Sequence, residues 1–138
     1  LNVTYEDEIS KEGCGRVGRL EQRMSVAELA EFVKEKFHVP NVRVFGNLGD
    51  MVETAAVMPG SGGDYIRDAL DAGADVMITG DVDHHEGIDA VAQGITVIDA
   101  GHYGIEKLFI PYMEDFIKRE LPGIQIYKAG IREPFVVI

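Results

Sequence analysis

In the stretch Ile95-Thr96-Val97-Ile98-Asp99-Ala100-Gly101-His102-Tyr103-Gly104-Ile105-Glu106, an imidazole and a carboxylate stand four residues apart just past an apolar, β-branched run. On a helix, positions i and i+4 share one face. His102 and Glu106 would then face the same way at the mouth of a strand. A neutral imidazole and a carboxylate suit a divalent ion such as zinc, manganese or iron. The placement counts as much as the pair, because open α/β sheets bind ligands beyond the carboxyl ends of their strands. A divalent ion takes four or more ligands, so one histidine and one glutamate leave a site incomplete. The spacing alone leaves a second reading open, with His102 capping the helix and Glu106 solvated.

Two earlier loops should open at the same edge. Pro59-Gly60-Ser61-Gly62-Gly63-Asp64 follows the apolar run Ala55–Met58, and Thr79-Gly80-Asp81-Val82-Asp83-His84-His85-Glu86 follows Asp75–Ile78. In the first, Gly60, Ser61, Gly62 and Gly63 either cradle an anion with their N–H groups at a helix start or make a tight turn. The lysine of a P-loop is absent, which excludes a Walker-type NTPase. In the second, Asp83 and Glu86 suit a helix N-terminus, which leaves two adjacent histidines unexplained. Neighbouring residues point in different directions, so one of them faces the site. His85 is taken as general acid/base or substrate contact, and Asp81 as a carboxylate that orients a ligand. Cys14 has no second cysteine and no activating partner, and His38 sits at a helix end; both read as structural.

The elements that position these loops follow from periodicity. Ser25 and Glu28 form a capping box, and Val26, Leu29, Ala30, Val33 and Phe37 make one apolar stripe, so Ser25–Phe37 is expected as a helix. Val42–Phe45 reads as a strand. From Glu53 the chain alternates: strand, loop, helix Asp64–Ala72, Gly73; strand Asp75–Ile78, loop, helix Glu86–Gln93, Gly94; strand Ile95–Ile98, loop, helix from about Tyr103. Glycine directly after a helix is a common stop. Pro111 should kink or restart the last helix. Ile124–Lys128 and Pro134–Ile138 are expected as short closing strands. Residues 1–12 carry a weak strand signal, and Gly13–Leu20 reads as a loop or irregular strand. The expected fold is α/β, with a mixed, mainly parallel sheet flanked by helices.

The length of 138 residues suits one domain, and 46% hydrophobic content permits a core. A net charge of −11 repels phosphate backbones, which argues against nucleic acid as a partner. No run approaches membrane-spanning length. The single cysteine excludes an internal disulfide, and a cytoplasmic location is expected.

Four motifs in order resemble one known family. They are Gly60-Ser61-Gly62-Gly63 after a strand, Gly73-Ala74-Asp75 through Thr79-Gly80-Asp81, His85 with Asp89-Ala90, and Asp99-Ala100-Gly101-His102 with Glu106. They resemble the C-terminal half of the NIF-three-like proteins, often named GTP cyclohydrolase I type 2 homologues. The likeness runs over about residues 13–138. It implies two divalent ions in a full-length protein (zinc, iron or manganese), held by a His-His pair and an aspartate from an N-terminal half and by a Gly-His-x-x-x-Glu motif. His102 and Glu106 match that motif; His85 matches a histidine near the metals, and His84-His85 is not the N-terminal pair. By the resemblance, residues 1–138 are a single α/β domain forming the C-terminal lobe of a longer two-lobed protein. Residues 1–20 are then a lead-in or linker remnant, and the metal site is half-built. The open half would expose an apolar surface that otherwise packs on the missing lobe. The resemblance also implies a homo-oligomer, as a ring or hexamer, and a metal-dependent hydrolase acting on a nucleotide. Two alternatives stand beside this: a non-enzymatic metal-binding scaffold, and a nucleotide-binding module that uses Gly60–Gly63 without metal.

Overall fold

The computed structural model describes residues 1–132 and residue 135, without the side chain of Asn2. Strands β1 (Asn2–Glu6) and β2 (Lys11–Cys14) pair antiparallel as a separate two-stranded ribbon. The main sheet holds β3 (Arg16–Ser25), β4 (Arg43–Phe45), β5 (Met51–Ser61), β6 (Val76–Gly80) and β7 (Thr96–Asp99), in the order β3-β5-β6-β7-β4. The three central strands run parallel, and each edge strand is antiparallel to its neighbour. The mixed, mainly parallel sheet expected from the alternation is therefore present.

Helix α1 (Val26–Phe37) packs Val26, Leu29, Ala30 and Val33 against Ala55, Val76, Ile78 and Ile98 on one face of the sheet. Helices α2 (Ile66–Asp71) and α3 (His84–Ala92) cover the other face, where Ile66, Ala69 and Ala90 meet Ala56, Met77 and Val97. The two cores use alternate residues of the same strands, the pattern of a sheet buried on both sides. The Ser25 hydroxyl accepts the Glu28 N–H at 3.2 Å, and the Glu28 carboxylate accepts the Ser25 N–H at 2.8 Å, so the expected capping box forms. His38 ends α1 in the left-handed region at φ 52°, and its carbonyl accepts the Lys107 ammonium at 3.0 Å.

Several elements differ from expectation. The Gly13–Leu20 stretch is strand on both sides of Gly15: Gly13 and Cys14 end β2, and from Arg16 onward β3 pairs antiparallel with β5, with an irregularity between Arg19 and Met24. The strand expected at Ala55–Met58 extends to Ser61 through Pro59. Proline is tolerated there because Met58, Pro59 and Gly60 together oppose Thr79 alone: the register passes from Val57↔Ile78 to Ser61↔Gly80. The last helical segment is two helices, α4 (His102–Glu106) and α5 (Phe109–Glu120). The break falls at Lys107-Leu108, and Pro111 sits in the first turn of α5, where its missing N–H costs no helical bond. Ile124–Lys128 is not a strand. The segment pairs with neither edge strand of the sheet and instead lies beside α4 and α5. There Lys128 pairs with Glu114 at 2.6 Å, and the Arg132 N–H donates to the Tyr103 hydroxyl at 2.9 Å. The strand expected at Pro134–Ile138 lies outside the described residues.

Candidate metal centre at the strand ends

The carboxyl ends of β5, β6 and β7 bring three ionisable side chains together. Gly101, at φ 74°, turns the chain from β7 into α4 and starts that helix at His102. Glu106, one turn on, places its Oε2 3.1 Å from His102 Nε2. On the other side of the ring, Asp81 Oδ2 lies 3.5 Å from His102 Nδ1, and Asp81 Oδ1 accepts the His102 backbone N–H at 3.4 Å. The imidazole therefore lies between two carboxylates. About half of the His102 and Glu106 side-chain surface is open to solvent, 45% and 51% respectively, so an ion can reach them.

Asp81 holds a φ of 52°, a region uncommon for residues with a side chain and best tolerated by asparagine and aspartate. That conformation turns its carboxylate back onto the α4 N-terminus. Beneath it, Gly80 allows the two loops to touch, because a Cβ there would collide with the His102 backbone nitrogen and the Gly101 carbonyl carbon.

Gly60 enters from the β5 bulge at φ 74°. A Cβ on it would stand 2.9 Å from Glu106 Oε1 and 3.5 Å from His102 Nε2. Its lack of a side chain keeps the space at the tips of the two donors clear. The other residues of the glycine loop serve different neighbours. Ser61 pairs in register with Gly80. Gly62 is held against Thr79, Met58 and Met77, and its N–H donates to the Gly80 carbonyl at 3.4 Å. Gly63 lies against the Glu86 carboxylate. Each of these glycines answers a close approach of backbone to a side chain.

His85 sits exposed in the first turn of α3, edge-on to His84 with ring centroids 5.4 Å apart. Among the described residues no hydrogen bond or ion pair joins it to Asp81, His102 or Glu106. Nor does any group of three or more His, Cys, Asp or Glu side chains among those residues form a complete metal site. The residues do fit part of one: two converging donors, a carboxylate holding the imidazole, and a glycine that leaves the approach clear. A cavity of about 410 Å³ lined by Pro59, Ile105, Glu106 and Phe109 adjoins the pair.

Asp99 is the residue that spacing did not single out for a role. Its side chain is only 2% exposed. Oδ1 accepts the N–H groups of Asp81 (3.1 Å) and Gly101 (2.8 Å), Oδ2 accepts that of Val82 (3.1 Å), and Arg43 pairs with Oδ2. An aspartate closing a β-branched, fully buried strand was the available signal, since a buried carboxylate must be neutralised and hydrogen-bonded.

The fold and site together define a three-layer α/β domain with a histidine-carboxylate donor pair at its strand ends. The chain belongs to the Duf34/NIF3 (NGG1p interacting factor 3) family, whose model matches residues 1–133. It is 41% identical over 115 residues to a GTP cyclohydrolase 1 type 2 homolog of Bacillus subtilis, covering 83% of this chain and 30% of that protein. The homolog of the same name from Clostridium acetobutylicum is 37% identical over 129 residues, covering 94% and 46%. A solved Bacillus cereus protein related to NIF3 superposes with a TM-score of 0.81 at 30% identity, covering 94% of this chain and 37% of that one. The chain thus spans less than half the length of these relatives. Among the described residues no helix is long and apolar enough to cross a membrane.

Proposed function

We propose that His102 and Glu106 are the ligands this chain contributes to a divalent-metal centre, and that the protein is a metal-dependent hydrolase of a nucleotide-like small molecule. The observation that carries the reading is the Gly60 clearance: the donor tips converge on a space that a single methyl group would fill. A divalent ion there supplies Lewis acidity, which brings the pKa of a water toward neutrality. The chain's own residues do the rest. Asp81 holds the Nδ1 side of His102 and leaves the Nε2 lone pair for ligation, as carboxylates behind metal-binding histidines do. Glu106 contributes negative charge that offsets the ion's. His85, exposed and without a competing hydrogen bond among the described residues, is the proton carrier of this reading. Gly60–Gly63 border the space that would receive a phosphate.

Two donors do not saturate a divalent ion, so water or a neighbouring copy of the chain completes the shell of the ion at His102 and Glu106, and the ligands of the second ion come from outside this chain. Zinc, iron and manganese all suit the donor set. The relatives' greater length and their shared name support both this and the nucleotide substrate. One surface supports an assembly. Helix α5 buries none of its residues and exposes Phe109, Tyr112 and Phe116 along one stripe. Exposed aromatic stripes of this kind mark interfaces. A homo-oligomeric ring with a cytoplasmic location completes the reading. The same stripe also favours the second reading, a non-enzymatic metal-binding scaffold.

The test is metal content after exhaustive dialysis against zinc, iron and manganese salts, for the protein and its His102→Ala and Glu106→Gln variants. Stoichiometric metal that either variant loses supports the centre. Metal retained unchanged by both variants refutes it. Metal-dependent turnover of a nucleotide that Glu106→Gln or His85→Ala abolishes selects the hydrolase over the scaffold.

A further inference from the structure

Resting on the reading of His102 as a metal ligand, we propose that Asp99 and Arg43 are positioning residues that lock the Asp81 and His102 loops together and so set the direction of the His102 imidazole. Four observations lead there. First, one side chain hydrogen-bonds both loops: Asp99 accepts the Asp81 and Val82 N–H groups after β6 and the Gly101 N–H after β7. Second, Arg43 and Asp99 are direct cross-strand partners in the β4–β7 register, so the guanidinium is delivered by sheet geometry from 56 positions away in sequence. Third, the same Arg43 nitrogen also donates to the Val82 carbonyl at 3.0 Å, so it grips the β6 loop as well as the carboxylate. Fourth, Asp81 keeps a left-handed backbone at φ 52°, which aspartate tolerates better than most residues but which still costs free energy that surrounding contacts offset.

The chain of contacts is continuous. Arg43 neutralises Asp99, Asp99 fixes the Asp81 N–H, and Asp81 holds His102 through both its backbone N–H and Nδ1. Removing the Asp99 carboxylate would leave three N–H groups without their acceptor, and such a variant risks losing the fold. Arg43 is the better handle, because 62% of its side chain is exposed and its loss leaves the three N–H bonds to Asp99 formally in place. Asp99 would then hold an uncompensated buried charge and loosen the loops around it.

The experiment compares the protein with Arg43→Gln and Arg43→Lys. It reads the zinc dissociation constant by titration with zinc alone, amide hydrogen exchange in the metal-free protein, and the melting temperature. The expected result is a loss of zinc affinity of about 3- to 10-fold in Arg43→Gln, below the roughly 10- to 100-fold cost of removing a ligand's direct partner, because Arg43 acts on His102 through Asp99 and Asp81. Exchange should quicken at the Asp81, Val82, Gly101 and His102 amides while the α1 amides stay protected. Arg43→Lys should recover part of both, because it keeps the charge and one donor. Unchanged affinity and unchanged exchange at the four amides overturn the proposal and leave the metal centre standing. If Arg43→Gln speeds exchange throughout, α1 included, the pair is merely structural and the proposal also fails. If the unaltered protein binds no zinc, the metal reading fails, and the exchange arm alone decides whether the clamp exists.

Discussion

Replacing Gly60 with alanine separates what the β5 bulge requires of its backbone from what the donor pair requires of its surroundings. Gly60 and Gly73 share nearly the same positive φ, 74° and 77°, yet a Cβ on Gly73 meets nothing within 4 Å, whereas one on Gly60 comes within 2.9 Å of Glu106 Oε1. The backbone penalty of an L-residue in this region is about 1–2 kcal/mol for both. For a chain of this length that corresponds to a fall of roughly 3–10 °C in melting temperature. The contact with Glu106 adds little to stability, since a half-exposed carboxylate can swing aside. Swinging aside is what metal binding cannot tolerate. Gly60→Ala and Gly73→Ala should therefore melt within a few degrees of each other. Zinc titration should separate them, with Gly60→Ala weakened by about tenfold or more and Gly73→Ala unchanged, in line with other disturbances around a ligand. Equal zinc affinity in the two variants would refute the view that the Gly60 clearance serves the donors.

Other consequences can be checked independently. Ser25→Ala removes the α1 capping box and should cost about 0.5–2 kcal/mol by denaturant unfolding. Gly87→Ala places a methyl group against the base of the Phe45 ring; overpacking of about 1–3 kcal/mol outweighs the gain of about 1 kcal/mol in helix propensity, so the variant should be less stable. The Glu114 carboxyl is drawn down to about 2 by its hydrogen bonds to Lys118 first and Lys128 second. Because its folded value lies below the ordinary 4.5, its stabilising effect is full above about pH 4.5 and fades as pH falls toward 2. Carboxyl NMR titration should show that low midpoint, and Lys128→Ala should move it upward; an unmoved midpoint would mean that the 124–132 segment does not rest on α5.

Much of the fold was legible because local signals agreed with the tertiary answer. The Ser25–Glu28 box, the β-branched runs of β6 and β7, and the glycine stops at Gly73 and Gly94 each work within a few residues of chain. The Gly101-His102…Glu106 spacing gave the convergent pair for the same reason: one helical turn sets it. What sequence did not show depends on partners distant along the chain. Strand β3 looked irregular because Gly13, Gly15 and Gly18 in and before it weaken any local signal, and pairing with β5 makes it a strand. The extension of β5 past Pro59 needs a bulge against β6. Asp99 reads as an ordinary strand-end aspartate until β4 brings Arg43 opposite it. Ile124–Lys128 has strand-like residues, yet Lys128 is tied to Glu114 of α5 rather than to a strand. His85 lies near the site in sequence, yet no hydrogen bond or ion pair among the described residues joins it to the donors, which stand on α4 while His85 stands on α3.

The central claim is that His102 and Glu106 ligate a divalent metal. Crystals of the protein grown with zinc and measured on both sides of the zinc absorption edge test it most directly. The account predicts an anomalous peak about 2.0–2.1 Å from His102 Nε2 and about 2.0–2.2 Å from a Glu106 oxygen, the usual ligand distances. A peak only at His84 or His85, or His102 and Glu106 left bare at saturating zinc, would contradict it.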